Sequence, residues 1–128
     1  MKILVIDDEH DVAVYLEMVL NDAGYDVTAV SSCKEAIDFL EDSIPDLICL
    51  DVMMPGESGM HLYSQLKKDE RYKNIPVFII SAVEKERDFN IKSYIDDETV
   101  PPPDKYLEKP ITVSSFLKAV EDKIGEAS

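Results

Sequence analysis

The chain has 128 residues, 45% hydrophobic and 31% charged, with a formal net charge of −14. That suits one soluble globular domain with a real core, and the acidity argues against direct binding of nucleic acid, which needs clustered Lys and Arg. No apolar run reaches the ~18 residues of a membrane helix, and Ile3–Ile6 meets Asp7-Asp8-Glu9 too soon for a signal peptide; the expectation is a cytoplasmic protein with no membrane partner.

Lys2–Ile6 is β-rich and apolar and is the first predicted strand. From Asp11 to Ala23, Val12, Leu16, Val19, Leu20 and Ala23 recur at helical spacing, and Gly24 is the predicted stop. Asp26–Val30 is a second strand. Ser32 and Glu35 fit a capping box, and Ala36, Phe39 and Leu40 supply the inner face of the next helix. Cys33 and Cys49 have no paired spacing and read as reduced structural thiols.

Asp46–Val52 is the stretch around which the chain is organised. Leu47, Ile48, Cys49 and Leu50 form a short apolar run between Pro45 and Pro55-Gly56, as in a strand buried on both faces. Such a strand needs no charge, yet it ends in Asp51. Pro55–Gly59 is a turn-rich loop. Met60–Lys68 is a predicted helix, with Leu62 and Leu66 one turn apart, and Pro76–Ala82 is another buried strand, ending near Ser81. Glu84–Tyr94 is a weaker predicted helix, and 96–103 is irregular, closing in Pro-Pro-Pro. Asp104–Pro110 gives a last strand. Val113, Phe116, Leu117, Val120 and Ile124 mark a closing helix.

Strand and helix alternate five times, with no repeat or linker. The predicted fold is α/β: one doubly wound, five-stranded parallel sheet, flavodoxin-like, in strand order 2-1-3-4-5, with helices on both faces. Residues 1–128 are expected to form one domain with no output domain. In a parallel sheet, the carboxyl ends of all strands lie on one edge. Asp7-Asp8, Asp51, Ser81 and Lys109 would therefore meet there. Taken singly, each has a plainer role: helix caps, a turn former, a strand-end hydroxyl, a solvated lysine. Taken together, three carboxylates with a lysine and a hydroxyl suit phosphoryl transfer onto Asp51. The clustered negative charges call for a hard divalent cation, and Mg²⁺ leaves room for phosphate oxygens.

These residues, with Pro55, Gly59, Tyr106 and Lys109-Pro110, resemble the receiver domain of two-component response regulators over nearly the whole chain. The resemblance implies that Asp7, Asp8, Asp51 and the backbone carbonyl of Met53 hold Mg²⁺. It implies Asp51 as the 4-aspartylphosphate site, Lys109 and Ser81 as its phosphoryl-binding partners, Ser81 and Tyr106 as the switch pair, and a cis Lys109–Pro110 bond. It further implies a sensor histidine kinase or histidine phosphotransfer protein as donor. The partner downstream would be a target protein or a second copy, on the face of the fourth helix, last strand and fifth helix. Such a protein is no enzyme beyond catalysing its own phosphorylation and dephosphorylation. In that family, polar side chains two residues past the aspartate and two past the hydroxyl orient the hydrolytic water; here these are Met53 and Val83. The segment between Ser81 and Lys109 departs from the pattern, being longer and carrying Val100-Pro101-Pro102-Pro103 instead of a glycine-alanine turn. The alternative function is a receiver-like interaction module that works without phosphorylation. A small flavin protein is disfavoured because Asp-Asp-Glu would repel phosphate. A phosphohydrolase is disfavoured because no cap segment is present.

Overall fold

Five short segments rich in Ile, Val and Leu pair side by side in the computed structural model, which describes residues 1–51, 59–82, 103–109 and 111–125. They are β1 (Lys2–Ile6), β2 (Asp26–Val30), β3 (Leu47–Asp51), β4 (Val77–Ala82) and β5 (Lys105–Lys109). Every pairing is parallel, and the order is β2-β1-β3-β4-β5. This is the doubly wound order expected from the alternation of elements. Four helices are found among the described residues: α1 (His10–Asp22), α2 (Cys33–Asp42), α3 (Gly59–Lys68) and α4 (Val113–Ile124). The helix predicted over 84–94 and most of the irregular 96–103 stretch fall outside the described residues.

The pleat sorts alternate strand residues onto two cores. Leu4, Ile6, Ile48, Leu50, Val77 and Ile79 pack beneath α2 and α3, against Ala36, Leu40, Leu62, Tyr63 and Leu66. Ile3, Val5, Leu47, Cys49, Phe78 and Ile80 pack beneath α1 and α4, against Leu16, Leu20, Phe116 and Val120. Each such side chain, fully buried, contributes roughly 1.5–3 kcal/mol. Central β3 is buried at all five positions, as a strand covered on both faces must be. Burial also pushes the Cys49 thiol up to about 12, so it stays protonated and inert.

Local signals set the element ends. Gly24 takes φ 98°, the left-handed conformation that stops α1. Ser32 is the N-cap of α2, its Oγ accepting from Glu35 N at 3.1 Å. Glu35 in turn accepts from the Ser31 hydroxyl at 2.7 Å. At the amino edge of the sheet, Asp26 N donates to Met1 O at 2.9 Å. Beside it, the Tyr25 hydroxyl donates to Gly125 O, just past α4, at 2.8 Å.

Asp104 ties three elements together ahead of β5. Its carboxylate accepts from Val77 N at 2.8 Å and pairs with Lys123 of α4 at 2.8 Å. Burial alone would raise this carboxyl. The hydrogen bonds from Lys123 and Val77 N, with the Lys123 and Lys67 charges, bring it below the ordinary range instead. Asp104→Ala is therefore expected to cost about 2 kcal/mol, because a strand N–H and an ammonium each lose their acceptor. A carboxyl held low stabilises above its unfolded pKa, and that contribution disappears as pH falls through the folded value. Denaturant melts of both proteins should thus differ fully down to about pH 5, and the gap should narrow well below about pH 4. A gap that does not change with pH would show that the carboxylate charge is not its source.

Candidate functional site

The register of β1 and β3 builds the site. Ile6 lies opposite Leu50 in the last paired row, so Asp7 and Asp51 leave the sheet side by side at its carboxyl edge. Both are 1% exposed, whereas Asp8 is exposed. Asp7 is held on both sides. Its N–H donates to Val30 O at 3.1 Å, extending the ladder to β2, and its Oδ1 accepts from Glu9 N at 2.9 Å. Glu9, not Asp7 or Asp8, is the N-cap of α1. The acid pair therefore lies outside the capping position that would have been its plainer role.

One carboxylate oxygen from each of Asp7, Asp8 and Asp51 lies within 4.8 Å of the others. Oxygens about 4 Å apart span an octahedral Mg²⁺ ion, and slightly larger spans suit Ca²⁺. The donor set is hard, anionic and all oxygen, so these residues fit a hard divalent cation and not a soft one. Cys49 cannot add sulfur to it, because its row in β3 pairs with Val5 and Phe78, two residues inside the edge.

The remaining predicted residues are brought to the same edge to differing degrees. Asp51 pairs with Ile80, so the backbone of Ser81 comes one residue beyond that row. Lys109 pairs with Ala82, one step further along β5. Tyr106 is 37% exposed on β5. Gly59 opens α3. Met53, Pro55, Val83 and Pro110 lie outside the described residues, so the carbonyl ligand and the cis bond expected there fall outside them too.

Sequence reasoning passed over a cavity beside the cluster. It has a volume of about 270 Å³ and lies between α1, the end of β2 and the start of α2. Asp7, Asp8, His10, Glu17, Ser31 and Glu35 line it together with Ala13, Val14, Ala29 and Val30. No local motif announces it, because it exists only once helices from opposite faces of the sheet flank the β2 edge.

A parallel 2-1-3-4-5 sheet carrying an acid pair after β1 and an aspartate at the end of β3 defines a class of protein. The chain belongs to the response regulator receiver domain family, whose model matches residues 3–121. It is the receiver domain of a two-component response regulator, a signalling protein. It is similar to the polar-differentiation response regulator DivK of Brucella ovis, 29% identical over 126 residues, covering 97% of this chain and 95% of that protein. Among solved structures it resembles the signal receiver domain of a signal transduction histidine kinase from Syntrophus aciditrophicus. That match has a TM-score of 0.81 and 29% identity, over 96% of this chain and 89% of that one. The chemotaxis response regulator CheY4 of Vibrio cholerae shares the fold, with a TM-score of 0.77 at 22% identity over 94% and 96% of the two chains. No helix among the described residues is long and apolar enough to cross a membrane.

Proposed function

We propose that this receiver accepts a phosphoryl group onto Asp51 from a phosphohistidine donor and signals by a change of shape. The observation that carries this is the meeting of the Asp7, Asp8 and Asp51 carboxylates at the carboxyl edge of the sheet. A bound Mg²⁺ ion would neutralise charge and grip phosphoryl oxygens there. Asp7 and Asp8 would hold that ion together with Asp51 and the Met53 carbonyl. An Asp51 carboxylate oxygen forms the new P–O bond as the P–N bond to the donor imidazole breaks. The leaving imidazole keeps the electron pair and takes a proton from water. Ser81 and Lys109 contact the equatorial oxygens, and Ser81 with Tyr106 carries the change outward. The donor is a sensor histidine kinase or histidine phosphotransfer protein. The signal passes to a target protein or a second copy through β5, α4 and the helix predicted over 84–94. The test is intact mass after incubation with acetyl phosphate and Mg²⁺. A gain of one phosphoryl group is expected, and no gain would leave only a module that binds partners without phosphorylation.

Lys109→Ala should leave Mg²⁺ binding nearly intact while uncoupling phosphorylation from the shape change. A fixed cation at a strand end both contacts the phosphoryl group and moves its loop with it. Phosphorylation-induced NMR shifts at Tyr106 should shrink severalfold in the variant, and shifts identical to wild type would rule out this role.

The phosphorylated state should decay slowly, over minutes or longer. Met53 and Val83 offer no strong hydrogen-bonding group to orient the attacking water. Orienting it is worth about tenfold, or ~1.4 kcal/mol of barrier. Met53→Asn combined with Val83→Glu should therefore speed decay about tenfold after donor removal. Wild-type decay within seconds, or an unchanged rate in the double variant, would refute this.

A further inference from the structure

The cavity beside the cluster has an amphipathic lining. Ala13 and Val14 of α1 and Ala29 and Val30 of β2 are its apolar lining. Glu17 on α1 and Glu35 on α2 add carboxylates, and Asp7, Asp8, His10 and Ser31 complete the lining. The hydrogen bond from the Ser31 hydroxyl holds the Glu35 carboxylate in place. Among the described residues, only Asp7, Asp8 and Asp51 converge closely enough to hold an ion. Glu17 and Glu35 reach the cavity from two different helices instead. Charge in the chain is distributed in the same sense. Lys2 and Lys34 are the only lysine or arginine residues among the first 51, which hold about half of the 27 acidic ones. The end of the molecule around β2 is thus far more acidic than the rest.

A cavity lined by both apolar side chains and carboxylates complements a side chain with a methylene stem and a cationic head. We infer that this cavity receives a lysine or arginine side chain of the protein that delivers the phosphoryl group. The inference rests on the phosphoacceptor role proposed above. The stem lies on Ala13, Val14, Ala29 and Val30, and the head meets Glu17 and Glu35. The contact orients the donor next to Asp51, and the acidic surround speeds encounter with a basic partner at low salt.

The probe is Nα-acetyl-arginine amide, titrated by NMR in saturating Mg²⁺ so that the three aspartates are already engaged. Its uncharged isostere, Nα-acetyl-citrulline amide, is the control. Saturable shifts are expected at the amides of Ala13, Val14, Ala29 and Val30 with arginine and none with citrulline. Apparent affinity should fall at least threefold in Glu17→Gln/Glu35→Gln and in 0.5 M salt. Val14→Phe, which fills the cavity and keeps every charge, should abolish the shifts. Equal shifts with citrulline, shifts confined elsewhere, or an unchanged affinity in Glu17→Gln/Glu35→Gln would each overturn the inference. Acetyl phosphate needs no protein docking, so mass gain from it should be equal in wild type and all variants. Its absence in wild type would refute the phosphoacceptor role and leave the arginine result to stand or fall separately.

Discussion

Asp51→Asn is expected to reduce uptake of a phosphoryl group from acetyl phosphate to background, while the protein stays folded. The amide keeps the shape of the carboxylate but loses the anionic oxygen that would form the P–O bond in the proposed transfer. Loss of fold will not account for the result. Asp51 is 1% exposed beside a second buried carboxylate, so removing its charge relieves repulsion. Thermal melts of the variant should match or exceed wild type. Asp46→Asn and Glu57→Gln are the controls, and both should be phosphorylated normally. Asp46 lies at the opposite edge of the sheet, where its carboxylate accepts from Lys2 N at 2.8 Å. Persistent full phosphorylation of Asp51→Asn would move the acceptor elsewhere.

Replacing Asp7 and Asp8 together with Ala should weaken Mg²⁺ binding by orders of magnitude and raise the melting temperature measured without metal. Two opposing effects decide the second outcome. Buried charges such as Asp7 and Asp51, 4.8 Å apart or less, repel by about 3 kcal/mol at an effective dielectric of 20. Against this, the variant loses the bond from Glu9 N to the Asp7 carboxylate, worth about 2 kcal/mol because its acceptor is charged. Repulsion is the larger, so a gain of several degrees is expected for a chain of this size. Added Mg²⁺ should stabilise wild type, by about 2.7 kcal/mol at a hundredfold excess over Kd, and leave the variant unmoved. Calorimetry with and without Mg²⁺ gives both readings. Unchanged Mg²⁺ affinity would place the ion elsewhere.

Most of the architecture was legible because periodicity carries it. The runs Lys2–Ile6 and Asp26–Val30 became strands with those bounds, and Gly24 stops α1 where its freedom at positive φ predicts. The meeting of Asp7, Asp8 and Asp51 followed from topology alone, since parallel strands deliver their carboxyl ends to one edge. What stayed hidden depends on three dimensions at once. Tyr63 is fully buried between Leu62 and Leu66, although its hydroxyl marks it as a surface residue by composition. The Asp104–Lys123 pair links residues 104 and 123 through side chains that no spacing rule connects. Val113, read as part of the apolar stripe of the closing helix, is 45% exposed at its first turn. The cavity at Glu17 and Glu35 required knowing which helix covers which face.

The bonds of Tyr25 and Asp26 to Gly125 and Met1 bring the two ends of the described chain to neighbouring residues. Both lie at the amino edge of the sheet, a strand length of roughly 16 Å from Asp51. A fluorescent reporter attached at either end would therefore emerge at the pole away from the chemistry. Joining the ends through a short linker, and opening the chain in a surface turn, would give a circular permutant with the sheet order preserved. The fold in that sense resembles a sensor cassette, with Met1 and Gly125 together at one pole and the proposed acceptor at the other.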